Sequence, residues 1–317
     1  MKAVFVEQPG GVENLKYADI PKPSPGPGQA LVKIAASGVN FIDIYFRKGV
    51  YPAPAPIVLG SEGAGTVEAV GPDVKNVAVG DRVAYAMARG SYAEHAVVPA
   101  WQLVKIPASV DFETAAAAML QGMTAHYLTH STYPLKPGDS CLIHAAAGGT
   151  GSLIVQMAKM LGAHVIGTVG DEEKAKQAKA AGADEVIIYT QEDFSAKAKG
   201  MHVVYDSVGQ STFMKSLDCL RPRGMLVSFG NASGPVESFA PLILSQKGSL
   251  FLTRPTLASY TATPEELDWR ANDVLNWIGQ GKLKLHIYKV YSLADAAQAH
   301  RDLEGRKTTG KLLLRVA

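Results

Sequence analysis

The chain has 317 residues, of which 47% are hydrophobic and 19% charged, and its formal net charge is +2. That length allows about two domains with a sizeable core. The near-neutral charge excludes the basic surface typical of nucleic-acid-binding domains, and two cysteines exclude a disulfide framework. Residues 1–6 begin directly with a strand-like run and lack a signal-peptide core, and no later segment has the apolar length of a membrane span. We therefore expect a cytoplasmic protein.

From residue 1 to about residue 121, short β-type runs alternate with Gly- and Pro-rich turns. The strand candidates are residues 30–37, 65–70, 82–87 and 93–98. This pattern predicts a compact, partly barrel-like β unit. A helix follows, with Asp111 as its N-cap, and extends towards Tyr127.

From about residue 124 to residue 253, strand and helix patterns alternate. The predicted strands are residues 140–145, 164–169, 185–189, 202–206, 224–229 and 249–253. Strands separated by helices in this way predict an α/β domain with a doubly wound parallel sheet.

A small-residue turn joins the first of these strands to its helix. Against the dinucleotide-binding pattern G-x-G-x-x-G, Ala146 stands at the first glycine position, and Gly148 and Gly151 fill the other two. Glycines there let the backbone pass close to a pyrophosphate, which the free N–H groups of the helix N-terminus bind. The strand before the turn and the helix after it support this interpretation over that of an ordinary tight turn.

The end of the second strand indicates which coenzyme is bound. NAD enzymes carry an acidic residue there for the ribose 2′-hydroxyl, but this chain has Thr168-Val169-Gly170, followed by Lys174 one turn later. A lysine near the start of a helix favours a 2′-phosphate, so the sequence predicts NADPH. Two observations oppose this: the neighbouring acids 171–173 would repel a phosphate if they pointed inward, and Lys174 would also fit an ordinary exposed position.

The tail has a helix at 264–279, a strand at 286–291, a helix at 293–304 and a strand at 310–316. It resumes the mixed character of the first region. We therefore expect a catalytic domain at 1–123, a coenzyme domain at 124–257 and a return to the catalytic domain at 258–317, with the active cleft between the two lobes.

This order of regions, together with a set of local motifs, resembles the zinc-independent quinone oxidoreductases, the ζ-crystallin-like group of the medium-chain dehydrogenase/reductase superfamily. The motifs are Met1-Lys2-Ala3-Val4, Gly38-Val39-Asn40-Phe41-Ile42-Asp43, Leu59-Gly60-Ser61-Glu62-Gly63-Ala64-Gly65, Val79-Gly80-Asp81-Arg82-Val83, Leu120-Gln121-Gly122-Met123-Thr124-Ala125, Ala146-Ala147-Gly148-Gly149-Thr150-Gly151, Tyr205-Asp206-Ser207-Val208-Gly209 and Thr309-Gly310-Lys311-Leu312. The resemblance spans essentially the whole chain. It implies a Rossmann-type doubly wound domain plus a GroES-like β-rich catalytic domain.

The zinc members of this superfamily hold a catalytic metal through a Cys and a His, and this chain has Asn40 and Ser61 at those positions. We therefore expect no metal. Without a Lewis acid, alcohol oxidation is disfavoured, whereas a quinone or activated alkene accepts hydride with modest electrostatic help.

The resemblance also implies roles for individual residues. Asn40 or Tyr45 would donate a hydrogen bond to the developing oxyanion, with Phe41 and Asp43 beside the nicotinamide ribose and Thr124 beside the nicotinamide. The remaining coenzyme contacts would be Gly148, Gly149, Thr150 and Gly151 at the pyrophosphate, Gly170 and Lys174 at the 2′-phosphate, Tyr189 at the adenosine, Ser207, Phe229, Gly230 and Asn231 at the strand ends, Leu252 and Thr253 at the carboxamide, and Arg306 at a phosphate. Structural alternatives stay open: Tyr45 and Tyr51 as packing aromatics, Asn40 as a turn residue and Arg306 as a solvated helix-end cation.

The leading hypothesis is an NADPH-dependent quinone reductase. The first alternative is an enone or 2-alkenal reductase in which Tyr45 or Tyr51 donates the proton. The second, of another class, is an NADPH-binding protein with weak catalysis and a structural or RNA-binding role. The resemblance further implies a homodimer joined through the edge strand at 249–253.

Overall fold

The computed structural model describes residues 1–305 and 308–316 of the chain. The first part of the chain forms β1 (Lys2–Val6), β2 (Lys16–Asp19), β3 (Gln29–Val39), α1 (Phe41–Lys48), β4 (Ile57–Val58), β5 (Glu62–Val70), β6 (Arg82–Ala86), β7 (His95–Pro99), β8 (Val104–Lys105) and α2 (Phe112–Tyr127). The middle forms β9 (Ser140–His144), α3 (Gly149–Met160), β10 (His164–Val169), α4 (Glu172–Ala180), β11 (Glu185–Ile188), α5 (Phe194–Lys197), β12 (Met201–Asp206), α6 (Phe213–Leu217), β13 (Leu220–Ser228), α7 (Leu242–Gln246) and β14 (Phe251–Thr253). The last part forms α8 (Leu257–Tyr260), α9 (Pro264–Gly279), β15 (Ile287–Ser292), α10 (Ala296–Glu304) and β16 (Lys311–Arg315).

The chain divides into two compact units. Unit 1 comprises Met1–Met123 and the chain from Thr261 onward, and unit 2 comprises Thr124–Tyr260. None of the described helices is long and apolar enough to cross a lipid bilayer.

Unit 2 is built on a parallel sheet with the strand order β11-β10-β9-β12-β13-β14. Its strands are apolar along their length because helices cover parallel sheets on both faces. The buried residues of one core cluster include Leu142, Val204 and Leu226 from three of the strands. The strand order starts from β9 and grows outward in both directions, and this confirms the predicted doubly wound α/β sheet.

The register of this sheet aligns the ends of its strands. Thr168 pairs with His144, and Asp206 pairs with Ser228. The carboxyl ends of β9, β10, β12 and β13 therefore meet at one edge, where ligands bind in doubly wound folds.

Unit 1 contains a sheet with the order β15-β16-β3-β5-β6-β8, and β7 also pairs with β3. Most of its pairs are antiparallel, whereas β15 and β16 run parallel and are joined through α10. A second, smaller sheet has the order β2-β1-β4. The pairing of Leu312 with Val39 brings the start of β16 beside the end of β3, and so places Lys311 next to Asn40.

Several predicted boundaries differ from the observed ones. The strand expected at 224–229 begins at Leu220, because Leu220 continues the pairing with β12 at Met201. The helix expected from residue 293 begins as a 3-10 turn, Leu293–Asp295, and becomes α-helical only at Ala296. A short-range hydrogen bond from Ser292 Oγ to Asp295 Oδ2, 2.6 Å long, holds this turn.

Candidate coenzyme and active site

The turn between β9 and α3 leaves the start of α3 open to a ligand. Gly148 is the N-cap of α3 in an extended conformation, and no side chain caps the helix. A Cβ at Gly151 would lie 2.2 Å from the carbonyl oxygen of Ala145, so only glycine lets the first turn of the helix pack onto the end of the strand. The structure thus places Gly148, Gly149, Thr150 and Gly151 together at an uncapped helix N-terminus, which is a site for an anionic group such as a pyrophosphate.

The residues expected at the 2′-phosphate lie together at the ends of β10 and β11. A Cβ at Gly170 would come within 2.9 Å of the Tyr189 hydroxyl oxygen, so a glycine at this position leaves room for the Tyr189 ring. Tyr189 is half exposed, and the Lys174 side chain reaches this end of α4 with Nζ 3.3 Å from Asp171 Oδ2. These three residues offer an exposed ring and a cation.

Asp171 does not act as a ribose acceptor in this arrangement. It is the N-cap of α4, and its carboxylate accepts the backbone N–H of Lys174 at 2.8 Å. This hydrogen bond holds the pKa of Asp171 below its ordinary value. Glu172 and Glu173 are exposed in the first turn, where acids favour the helix dipole. These three acids therefore repel a 2′-phosphate less than their positions in the sequence suggested.

The loops after β12, β13 and β14 form the other end of this edge. Phe229 N–H donates to Asp206 O at 2.8 Å, and Ala232 N–H donates to Ser207 O at 3.2 Å, so the loops after β12 and β13 contact each other. A cavity of about 530 Å³ in unit 2 is lined by Phe213, Ser228, Asn231, Pro235, Val236, Glu237, Ser238, Phe239, Leu252 and Arg254. Ser207, Phe229, Gly230, Asn231, Leu252 and Thr253 are therefore gathered at the strand ends.

A buried polar network supports this edge, and the sequence did not reveal it. His144 contacts Thr168 Oγ1 through Nδ1 at 2.8 Å and Ser216 Oγ through Nε2 at 2.9 Å. Asp206 accepts the N–H groups of Val208 and Gly209 at 2.8 and 3.0 Å and the Thr212 hydroxyl at 2.8 Å. Burial lowers the pKa of His144, so the neutral ring links the ends of β9 and β10. The sequence feature that could have indicated this network is His144 at the end of a predicted strand, level with Thr168 on the neighbouring strand.

In unit 1, the segment around α1 is held by hydrogen bonds that start at Asn40 and Asp43. Asn40 is the N-cap of α1 and forms a capping box with Asp43. Asp43 is fully buried, and it accepts the Asn40 N–H at 3.0 Å and the Ser61 hydroxyl at 2.7 Å. Burial raises the pKa of Asp43 to about 7, and the hydrogen bonds from Ser61 and Asn40 oppose that rise.

The side chain of Asn40 is 4% exposed and already bonded on both of its ends. Its Nδ2 donates to Glu62 Oε2 at 2.9 Å, and its Oδ1 accepts from Lys311 Nζ at 2.7 Å. The structure therefore gives the Asn40 side chain internal partners far along the chain, in addition to the turn role that the sequence left open. Thr124, expected beside the nicotinamide, is 8% exposed in α2. Arg306 lies outside the described residues.

Four aromatic side chains cluster on and beside α1. The rings of Tyr45 and Tyr51 meet edge to face with centroids 5.4 Å apart, Phe46 packs on Tyr51 at 5.7 Å, and Phe41 lies 6.3 Å from Tyr45. Tyr51 is 37% exposed, and Tyr45 and Phe41 are half-buried. This α1 aromatic face suits a flat conjugated molecule.

A second chain of buried groups leads from Asp43 to α10. Arg47 Nη1 lies 3.2 Å from His300 Nδ1, His300 Nε2 lies 3.2 Å from the Tyr92 hydroxyl, and that hydroxyl donates to Asp43 at 3.4 Å. Because arginine only donates, Nδ1 of His300 accepts and Nε2 carries the hydrogen. Burial beside Arg47 lowers the pKa of His300 to about 3.

This pKa predicts an acid-sensitive contribution to stability. The folded-state pKa of His300 is about 3, below the ordinary 6.5. As the pH falls below 6.5, the unfolded chain therefore binds a proton at His300 that the folded chain does not bind. The stability contributed by the neutral His300 is complete above pH 6.5 and declines below it. We expect the difference in unfolding free energy between the wild type and His300→Gln to narrow by about 2 kcal/mol between pH 6.5 and 5. Urea unfolding at several pH values measures it, and a difference that stays constant with pH would contradict the assignment.

Binding of a zinc ion requires a cluster of suitable donor side chains. Across residues 1–305 and 308–316, no group of three His, Cys, Asp or Glu side chains is arranged to hold a metal ion. At the two positions where zinc relatives have their ligands, Asn40 and Ser61 offer an amide and a hydroxyl, which are poor zinc ligands. The side chains present do not fit zinc.

The chain is similar in sequence to known families and proteins along most of its length. Residues 26–108 match the alcohol dehydrogenase GroES-like domain, and residues 181–314 match a family described as zinc-binding dehydrogenase. Quinone oxidoreductase of Pseudomonas aeruginosa is 50% identical over 313 residues, which cover 96% of each chain. A 2-haloacrylate reductase of Burkholderia is 42% identical over 98% of each chain.

Among solved structures, Escherichia coli quinone oxidoreductase complexed with NADPH superposes with a TM-score of 0.97 at 43% identity over 100% of both chains. The whole length of the chain, and not one domain alone, is shared with these proteins. The chain therefore belongs to the quinone oxidoreductases of the medium-chain dehydrogenase/reductase superfamily.

Proposed function

We propose that this protein reduces quinones with NADPH by hydride transfer that needs no metal. The observation that carries the proposal is the edge of the unit 2 sheet, where an uncapped helix N-terminus and the Gly170, Lys174 and Tyr189 group lie at the ends of neighbouring strands. Relatives named as quinone oxidoreductases, one of them complexed with NADPH, support it.

The residues present fit NADPH. The backbone N–H groups at the start of α3 would bind the pyrophosphate, and Lys174 would pair with the 2′-phosphate while Tyr189 covers the adenosine. Leu252 and Thr253 would offer backbone groups to the carboxamide. When bound, NADPH supplies a hydride, and one proton from a side chain or solvent completes the reduction of the quinone to the quinol.

The α1 aromatic face would hold the acceptor. Phe41, Tyr45 and Tyr51 present rings that stack on a flat, electron-poor molecule. Tyr45 would donate a hydrogen bond to the oxygen that gains negative charge. With its side chain bonded to Glu62 and Lys311, Asn40 would assist by fixing α1.

The test is NADPH oxidation at 340 nm with a panel of ortho- and para-quinones. We expect turnover well above the rate without protein and formation of the matching quinol. Tight NADPH binding with no turnover on any quinone would contradict the proposal and favour the catalytically weak alternative.

The 2′-phosphate contact predicts the effect of one substitution. Lys174→Met removes a charged hydrogen bond worth about 2 kcal/mol, so the Kd for NADPH rises about 30-fold while that for NADH changes little. Lys176→Met, on the same helix but paired with Glu173 at the surface, is the matched control and leaves both constants unchanged. Fluorescence titration measures them, and an equal loss for both coenzymes would contradict the role of Lys174.

An enone or 2-alkenal reductase is the second candidate, because one relative is named for a reaction on an activated alkene, 2-haloacrylate. In this reaction the proton would pass from Tyr45 or Tyr51 to the α-carbon. We expect Tyr45→Phe to lower quinone turnover by about 100-fold, because it loses the hydrogen bond to the oxygen that gains negative charge. Tyr51→Phe loses no such bond and should lower quinone turnover by less than about tenfold. If an alkenal is turned over faster than every quinone and either variant loses that activity, the second candidate is the better one.

We further propose that the protein is a cytoplasmic homodimer. The strand β14 ends the order of the unit 2 sheet, and Phe251 on it is 56% exposed, which is the kind of edge that pairs with a second copy. Both cysteines are buried as free thiols, which suits a reducing compartment. Sedimentation of the purified protein at twice the chain mass would support the dimer, and a monomer would contradict it.

A further inference from the structure

A pair of opposite charges lies in the interior of unit 1, beside the first residues of α1. The Lys311 ammonium is 2.5 Å from Glu62 Oε2, and the two residues are 1% and 0% exposed. Lys311 Nζ also donates to Asn40 Oδ1, and Asn40 Nδ2 donates back to the same carboxylate oxygen of Glu62. Lys311, Glu62 and Asn40 thus form a closed ring of hydrogen bonds.

The second carboxylate oxygen of Glu62 is used as well. Oε1 accepts the backbone N–H of Leu120 in α2 at 2.5 Å. Both oxygens of Glu62 therefore have partners, and the ring ties the end of β3 to β5, β16 and α2.

A buried ion pair by itself contributes little to the stability of a folded protein. Removing two charges from water costs several kcal/mol per ion, and apolar residues of similar volume often stabilise a protein equally well or better. We therefore expect this ring to serve mainly by positioning the side chains that it binds.

One member of the ring, Asn40, is the residue at which α1 begins. Asn40 is the N-cap of α1, and the helix carries Phe41 and Tyr45 of the α1 aromatic face. The backbone of Asn40 starts the helix, because its N–H donates to Asp43 Oδ2 and its carbonyl accepts the N–H of Asp43. Holding the side-chain amide of the same residue therefore holds the point at which α1 begins.

We propose that Lys311 and Glu62 are positioning residues, a fixed cation and anion that hold Asn40 and, through it, set the α1 aromatic face against the acceptor. The inference rests on the proposed quinone reduction, because the aromatic face acts only if it contacts the acceptor.

The test compares Lys311→Met, Glu62→Gln and the double variant with the wild type. Each single variant leaves one uncompensated buried charge and is expected to be strongly destabilised, whereas the double variant has none and should regain most of the lost melting temperature. We expect the double variant to keep its Kd for NADPH within about twofold, since the phosphate and adenosine contacts lie in unit 2, and to lose about 10- to 100-fold in kcat because the aromatic face is displaced. Lys311→Arg, which keeps the charge, should lose less.

Hydrogen exchange gives a readout that does not depend on turnover. The amides of residues 40–46 should exchange about tenfold faster in the double variant than in the wild type when each is measured at the same interval below its own melting temperature. Arg315→Met, which breaks the exposed Arg315 to Glu113 pair on the same strand, is the matched control and should change neither exchange nor kcat. If the double variant does not fold, Asn40→Ala removes the held amide while leaving the charges paired, and the same acceleration is expected.

The outcomes separate the two proposals. A double variant with wild-type kcat and wild-type exchange at residues 40–46 would overturn the positioning role. Faster exchange in the double variant, together with no quinone turnover by the wild type, would overturn the proposed function and leave the positioning of α1 supported.

Discussion

Replacing Gly151 by alanine should raise the Kd for NADPH about 100-fold and destabilise unit 2. Ordinarily a glycine-to-alanine change within a helix stabilises it by about 1 kcal/mol. Here the added Cβ would lie 2.2 Å from the Ala145 carbonyl oxygen and 3.1 Å from the Ala146 Cα, so the helix start has to move away from the strand. That movement displaces the N–H groups at the pyrophosphate, and two charged hydrogen bonds are worth about 3 kcal/mol.

The control for this prediction is Ser152→Ala, one residue further along α3. The Ser152 hydroxyl donates to Gly149 O at 3.1 Å, within the same helix, so losing this hydroxyl should change the Kd by less than about threefold. Isothermal titration of NADPH into both variants measures the effect. If Gly151→Ala binds NADPH as well as Ser152→Ala does, the dinucleotide turn is not where we place it.

Replacing Asp206 by alanine should lower the free energy of unfolding of unit 2 by about 3 to 5 kcal/mol. The substitution leaves the part-buried N–H of Val208 and the buried N–H of Gly209 without their acceptor, and the Thr212 hydroxyl keeps only its longer bond to Gly209 O. Each unsatisfied buried donor costs about 1 to 3 kcal/mol. Because the same carboxylate shapes the loop that starts at Ser207, NADPH affinity should also fall. Urea unfolding with a parallel NADPH titration measures both effects.

Asp218→Ala is the matched control for Asp206. The Asp218 carboxylate is exposed and paired with Lys247, so its removal should change the unfolding free energy by less than about 1 kcal/mol. Equal losses for the two aspartates would show that the buried network does not hold the edge of the sheet.

The sequence predicted the alternation of strands and helices in unit 2, because apolar strands and amphipathic helices leave clear periodic signals. It did not explain why Ala146 is tolerated at the first position of the glycine pattern. In the structure, a Cβ at residue 167 would come within 2.7 Å of the Ala146 Cβ. Gly167, on the adjacent strand, therefore supplies the space that the pattern normally reserves at the first position.

The buried polar networks were beyond sequence reasoning for a different reason. Lys311 and Asn40 are hydrogen-bonded, yet 271 positions separate them in the chain, and only the pairing of β16 with β3 brings them together. The sequence suggested Asn40 as a donor to the substrate, and the structure shows its side chain bonded to Glu62 and Lys311. Roles that depend on long-range strand pairing do not appear in local patterns.

One anaerobic mixing experiment tests NADPH-dependent quinone reduction by this protein most directly. The purified protein is mixed with NADPH and a quinone, and with NADH in a parallel sample, while absorbance at 340 nm and quinol formation are followed. We expect one quinol per NADPH oxidised, at a rate well above that without protein, and kcat/KM for NADPH at least about tenfold above that for NADH. Absence of catalysed quinol formation, or a preference for NADH, would contradict it.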